Sequence, residues 1–376
     1  MRITAVRAWL LDIPLATPFV ISRGAVHSFR NLVVEIETDD GILGYGEAVP
    51  VSLRGDPMRY LRAVEQDFAP RLLGRDPGDI EAIMDRLLQM EGEGITAAAA
   101  GVDLALWDIL GKRLDVPAYA LLGGLCQDGA LVDYTISVAH PAVMADAARD
   151  ASMAGFTGVV VKVACRDIAT DVACTRAVRA VLPDSATLRV DCNGGHDRDG
   201  ALAFIRALDG IDVEFVEQPV AAADIEGLAL CRGHGMRIAA DESLNTPADA
   251  LRLVAAGACD VLNVKVPKAG GLLQSKRVAA IAAAAGLPLV VGGGLSYGIS
   301  RFASQHLAVS STAACGVCHE GPGPASQSLT DDITLPVVTR APLLAHGGRM
   351  PVPAAPGLGF AVDRAKLSHY AKRSGA

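Results

Sequence analysis

The sequence predicts an α/β protein, a barrel of strand–helix units preceded by a smaller α+β unit. Five polar residues, Lys162, Asp191, Glu217, Asp241 and Lys265, each close a short apolar run (GVVVK, TLRVD, VEFVE, RIAAD, VLNVK) at successive intervals of 29, 26, 24 and 24 residues. Each interval is about one strand, one helix and two short loops. Such repetition makes a parallel sheet, and closing it into a barrel points the strand ends into one mouth. The runs are nearly continuous in apolar character, as a parallel sheet covered on both faces requires. The first 125 residues lack this repeat, and a chain of 376 residues has room for a large barrel with an added domain, or for two domains.

In chain order, ITAVRAWLLDI, NLVVEIET and ILGYGEA read as three antiparallel strands, with Asp39-Asp40-Gly41 turning between the last two. Between the first two lies PLATPFVISRGAVHSFR, whose Pro14, Pro18 and Gly24 and weak periodicity predict a long loop. Its Arg23, His27 and Arg30 are candidates to meet an anionic substrate; a solvated loop with incidental charges is the alternative. Helical spacing follows over Pro57 to Phe68, Ile80 to Met90 and AAAAGVDLALWDILGKRL, where Leu104 and Trp107 widen the apolar face enough for packing on two sides. The linker Leu121 to Gly129 ends this unit.

From Leu131 on, LVDYTISV, GVVVKV, ATLRVD, VEFVE, RIAAD, DVLNVK and LPLVVG read as strands, and Asp167 to Val181, Thr246 to Ala256 and Leu272 to Ala285 as helices among those between them. The nearest candidate for an eighth strand is Gly316 to His319. After about Thr330 the repeat gives way to a Pro-rich tail whose APGLGFAVD reads as a turn and a short extended piece. The expected division is 1–125 for the capping unit, 126–329 for the barrel and 330–376 for the returning tail.

A formal net charge of -8, with no basic cluster interleaved with aromatics, argues against nucleic acid as a partner. The eight cysteines are scattered, which suits reduced thiols rather than a disulfide framework. The longest uncharged run, Val278 to Ser300, is divided by Gly286 and Pro288 and reads as a buried helix and strand, not a membrane span. The N-terminus has no unbroken signal-peptide core, so a soluble cytoplasmic protein is expected, acting on a small molecule, away from membranes, with homo-oligomers open.

Asp191, Glu217 and Asp241 are hard oxygen ligands on three consecutive strand ends. Their mutual repulsion in one mouth calls for a cation; Mg²⁺ suits such a set, with Mn²⁺ as a substitute. Lys162 and Lys265 flank them and, on opposite walls, would face the two sides of one substrate carbon, one amine taking a proton and the other returning it. Removing a proton α to a carboxylate creates a dianionic enolate, which a bound cation stabilises. Burial, the cation and the second ammonium are expected to lower the lysines' pKa.

These motifs resemble the enolase superfamily, and within the mandelate racemase/muconate lactonizing enzyme family its muconate lactonizing enzyme branch. The resemblance rests on VDCN around Asp191, FVEQP around Glu217, ADES around Asp241, NVKVPKAGG around Lys265, TDDGILGYGEA, and GVDLALWDILGK with its LLGG. It implies a modified TIM barrel, (β/α)7β, capped by an α+β domain built from the N-terminal segment and the C-terminal tail. It also implies Asp191, Glu217 and Asp241 as Mg²⁺ ligands and Lys162 and Lys265 as the acid/base pair on the second and sixth strands. The mandelate racemase branch has a histidine after the seventh strand and an aspartate after the sixth; LVVGGGL and Lys265 do not match it.

One position departs from the family's Lys-x-Lys on the second strand, because Val160 stands where the first lysine is usual. That points to a more apolar site and a changed substrate. After the eighth strand, CHEGPGP lacks the Asp-x-Asp of dipeptide epimerases and loosely matches the Glu-apolar-Gly-Pro of muconate lactonizing enzymes. His319 and Glu320 therefore join Val160, Asn193 and the three lid residues as candidate substrate contacts, while Lys268, beyond the strand end, reads as structural. The expected activity is a racemase/epimerase or muconate-type cycloisomerase; a dehydratase working on the same site, a catalytically silent barrel and a metal-dependent hydrolase are the alternatives.

Overall fold

Strand-forming residues at the N-terminus build an antiparallel sheet in the order β1 (Ile3–Ile21), β2 (Gly24–Thr38), β3 (Leu43–Ala48). The structure is a computed structural model and describes residues 1–21, 24–50, 56–90, 92, 94–163, 167–322, 329–339 and 342–373. The stretch expected as a long loop is corrected here: it forms the far end of a β1/β2 hairpin, pairing Pro14 with Ser28 and, after a register shift, Phe19 with Val26. Proline is tolerated because β1 is an edge strand and the ladder is interrupted between Pro14 and Phe19.

The helix Ile95–Leu114 lies on this sheet, with Val102, Leu104, Leu106 and Ile109 fully buried. Glycine is required at the contact, since a Cβ on Gly46 would fall 1.8 Å from the Gly101 carbonyl oxygen. Two carboxylates then seat the cap on the barrel. Asp103 accepts from the Leu272 and Leu273 N–H groups, and Glu47 from those of Tyr297 and Ser300, so each acid sits at the N-terminus of a barrel helix, where free N–H groups and the helix dipole favour it.

The barrel comprises β4 (Ala130–Ile136), β5 (Gly158–Lys162), β6 (Thr187–Asp191), β7 (Phe215–Glu217), β8 (Ile238–Ala240), β9 (Val261–Lys265), β10 (Leu289–Gly292) and β11 (His319–Glu320). Neighbours pair in parallel from β10 back to β4, and β11 pairs with β4. Side chains bridge the remaining seam between β10 and β11. The Val291 N–H donates to His319 Nδ1 and the Gly293 N–H to Glu320 Oε2. Helices alternate with the strands, and their starts are set locally: Asp167, Asp197 and Asp224 accept N-cap bonds, and Thr246 with Asp249 forms a capping box.

The tail holds more structure than its prolines suggest. β12 (Thr334–Leu335) pairs with β14 (Ala361–Val362), β13 (Arg349–Met350) pairs antiparallel with β4, and the helix Arg364–Arg373 packs on β1. Arg364 pairs with Glu35, donates to the Tyr45 hydroxyl at 2.8 Å and lies over the Trp9 ring. Among the described residues no helix is long and apolar enough to cross a membrane.

Candidate active site

Side chains two residues apart on a strand share a face, so each inward strand end also brings the residue two places before it into the barrel. Lys162, Asp191 and Glu217 occupy one rung, being register partners across β5, β6 and β7. Asp241 follows β8 directly, and Lys265 ends β9. One oxygen from each of Asp191, Glu217 and Asp241 lies within 4.8 Å of the others, and all three residues are buried. Lys162 is ion-paired with Asp191 and Lys265 with Asp241. β5 and β9 are the second and sixth strands of eight, so the two amines approach from opposite walls.

Lys268 lies beyond the end of β9, as expected, yet its ammonium belongs to this cluster. The short helix Val266–Ala269 turns it back, and its ammonium donates to Asp241 Oδ1 at 2.7 Å and to the Asp241 carbonyl at 2.6 Å. Asn263, two residues before Lys265, donates to Glu217 Oε1 at 2.8 Å. Asn193 holds Asp191 through its backbone N–H at 2.7 Å and its amide at 2.9 Å, and reaches Glu242. Asn193 and Gln218 adopt left-handed backbone angles, φ 46° and 39°. Such angles persist in non-glycine residues where surrounding bonds over-determine them. Gln218 Oε1 accepts from the backbone N–H groups of Asp241 and Ser243.

The charges act strongly on one another. Burial pushes the Glu217 carboxyl well above the usual range, and Asp191 and Asp241 add to the shift. Burial works the same way on Asp241, but Lys265 and Lys268 outweigh it and hold that carboxyl below its ordinary value. Both acid/base candidates are raised rather than lowered: burial favours their neutral forms, yet Asp191 for Lys162 and Asp241 for Lys265 prevail. Burial and, for Lys162, the second ammonium push downward as expected, but with the acids' negative charge balanced by the lysines themselves the net direction is upward.

Above the cluster opens a cleft of about 310 Å³, walled by Phe19, Val49 and Pro50 from the cap and by Leu295 from the loop after β10, and bordered by Glu242 and Glu320. Val160 lies deeper, beside Lys162, in a smaller space it shares with Thr135 and Arg189. Glu320 lines the cleft with no ion pair among the described residues. His319 does not face the cleft, which corrects its reading as a substrate contact. It is buried, its Nδ1 accepts from Val291, and its Nε2 is thereby the protonated nitrogen that donates to the Ala314 carbonyl. His27 and Arg30 line a neighbouring hollow that shares Val49, Pro50 and Leu295 with the cleft, and Arg30 faces Asp12 at 3.6 Å. Arg23 lies outside the described residues.

Fold and site together define a barrel enzyme with two lysines on strand ends around an acidic centre. The chain belongs to the mandelate racemase/muconate lactonizing enzyme family of the enolase superfamily. Residues 4–123 match the mandelate racemase / muconate lactonizing enzyme N-terminal domain, and residues 143–366 match the enolase C-terminal domain-like family. The chain is 31% identical to the N-succinyl-L-Arg/Lys racemase of Bacillus cereus over 326 residues, 86% of this chain and 88% of that one. The crystal structure of the N-succinyl Arg/Lys racemase from that species superposes with a TM-score of 0.90 at 29% identity over 98% of each chain. The cis-3-hydroxy-L-proline dehydratase of Roseibium aggregatum is 33% identical over 96% of both chains. A Cytophaga hutchinsonii dipeptide epimerase, solved with Mg and D-Ala-L-Val, has a TM-score of 0.88 at 29% identity over 98% of each chain.

Proposed function

We propose that the protein is a Mg²⁺-dependent racemase or epimerase that removes the proton α to a carboxylate and returns it from the opposite face. The observation that carries this reading is the placement of Lys162 and Lys265 on facing walls, with the three carboxylates between them. Asp191, Glu217 and Asp241 would hold the cation. They fit it because three buried carboxylates with oxygens within 4.8 Å of one another repel, and burial with its acidic neighbours pushes the Glu217 carboxyl up. A bound cation supplies stabilisation for charge that accumulates on the substrate's carboxylate oxygens. One lysine, as the free amine, takes the α-proton, and the other, as ammonium, delivers one to the far face.

The substrate class follows from the cleft. Val160 removes a cation from the second strand, and Phe19, Val49 and Leu295 present apolar surface. Glu320 borders the cleft with Oε2 bonded to the Gly293 N–H and without a direct ion pair among the described residues, and its carboxylate suits an N–H or ammonium group. These features support a carboxylate carrying nitrogen on its α-carbon and an apolar body. Elimination of a β-hydroxyl is the second reading, favoured by the similarity to a dehydratase over 96% of both chains.

The test is ¹H NMR in D₂O across N-acyl amino acids, dipeptides, betaines, hydroxyprolines and muconates. We expect Mg²⁺-dependent deuterium wash-in at the α-carbon of at least one nitrogen-bearing substrate, with configuration scrambled for a racemase and an alkene-derived product for a dehydratase. Absence of exchange throughout the panel with Mg²⁺ present would sink the proposal. A further expectation concerns pH. Glu217 keeps its proton above the usual range and must lose it to bind a cation, so Mg²⁺ binding should release protons and tighten as pH rises. Calorimetry in two buffers of different ionisation enthalpy measures this; an affinity that does not rise with pH would contradict it.

A further inference from the structure

Each acid of the cluster has two oxygens, and the protein's own donors are distributed unevenly over them. Asn263 occupies Glu217 Oε1, and among the described residues no hydrogen bond falls on Oε2. Lys268 occupies Asp241 Oδ1 while its second bond grips the Asp241 backbone, so this ammonium fixes the carboxylate relative to its own main chain. The remaining oxygen of Asp241, Oδ2, is the one taken by Lys265. In the deprotonated form of Glu217 that would bind a cation, Asn263 Nδ2 must face the carboxylate, because only the amide nitrogen can donate to it. A Cβ on Gly292 of the next strand would sit 2.4 Å from Asn263 Oδ1, so that glycine keeps the space the amide needs.

We propose that Asn263 and Lys268 are positioning residues that make Glu217 and Asp241 one-oxygen donors, and that this selects Mg²⁺ over Ca²⁺. The inference rests on the metal-site reading above and goes beyond it, since neither residue is in the three-acid set. Each carboxylate oxygen has two lone pairs, so these bonds do not bar chelation, but a cation drawn onto both oxygens of Glu217 would crowd the Asn263 bond, and one drawn onto both oxygens of Asp241 would meet the charge of the Lys268 ammonium. Ca²⁺ takes six to eight oxygens and often draws on carboxylates bidentately, whereas Mg²⁺ holds six in a tight octahedron with single-oxygen donors and water. Two acids biased toward one oxygen each suit the smaller shell and disfavour the extra ligands the larger ion takes.

The experiment is calorimetric titration of the full chain, parent and variants, with MgCl₂ and with CaCl₂, without substrate. In Asn263→Ala, Mg²⁺ affinity should fall by about 10-fold or more, the size seen when outer-shell partners are removed, while Ca²⁺ affinity holds or rises. In Lys268→Met, loss of a neighbouring positive charge strengthens both ions, Ca²⁺ more, so the Mg²⁺/Ca²⁺ ratio falls again. Lys268→Arg, which keeps charge and donors, should keep the parental ratio more closely than Lys268→Met does. Melting curves identify any variant that fails to fold, and the other position then decides. An unchanged ratio in a folded variant at either position overturns the proposal even if both ions bind more weakly, because uniform weakening is what a merely structural role produces. A parent that binds neither ion overturns the metal-site reading itself, a result distinct from loss of selectivity alone.

Discussion

Lys162→Ala is expected to slow interconversion of the substrate's enantiomers by about 10²–10⁴-fold, the contribution of a positioned acid/base group. Lys162 touches Asp191 from the wall opposite Lys265, so removing it takes away one proton carrier and leaves the three acids in place. Magnesium should therefore still bind, measured by the same calorimetry. The sharper signature is stereochemical. With only Lys265 left, α-proton exchange with D₂O should survive for one enantiomer and vanish for the other, and Lys265→Ala should show the reverse pattern. Equal loss of exchange from both enantiomers in both variants would mean that the lysines do not divide the two faces between them.

Arg189→Met should destabilise the barrel by about 3–5 kcal/mol, the usual cost of removing one member of a buried ion pair. Arg189 is 1% exposed, donates to Asp133 and to the Cys318 carbonyl at 2.8 Å and to Glu214 at 2.7 Å, and stacks over Phe215. It ties β4, β6, β7 and the approach to β11 beneath the acidic cluster. Methionine fills much of the space but leaves Asp133 buried without its cation. Burial already raises the Asp133 carboxyl to about 7, against the opposing pull of Arg189. A carboxyl raised in the folded state stabilises below its unfolded pKa, and that stabilisation is lost as pH rises through the folded value. The variant's deficit should thus be largest above pH 7 and shrink as pH falls. Urea unfolding at acidic and alkaline pH reads both the size and the trend; a deficit that grows on acidification would reverse the assignment.

The acidic cluster and its flanking lysines were legible because strand–helix repetition imposes a nearly constant interval on strand ends. The same rule applied two residues earlier would have found more. Arg189 precedes Asp191, and Asn263 precedes Lys265, by one strand period, so both had to point inward. Lys268 was harder to place, because its return to the site depends on a single helical turn after β9 that brings it onto Asp241. His319 misled for a related reason. It neighbours Glu320 on β11, and adjacent strand residues face opposite sides, so the two could not share the cleft. The hairpin arm was hidden by Pro14 and Pro18, which mark a loop in most settings and are tolerated here only at a sheet edge beside a register break. The C-terminal helix has a short apolar face, and its place is set by Asp331 and Asp332 at the start of the tail together with Glu35 and Tyr45, more than 300 residues away.

That last partnership has a consequence for synthesis. The capping sheet leaves the ribosome first, yet the side of it around Glu35, Tyr45 and Trp9 is met by Arg364, which is 329 positions after Glu35. At roughly 5–20 residues per second, translation separates them by on the order of 15–65 seconds. Throughout that interval Glu35, fully buried in the finished molecule, lacks its C-terminal arginine partner, and the face where Leu367 and Tyr370 will settle stays open to chaperones and to other nascent chains.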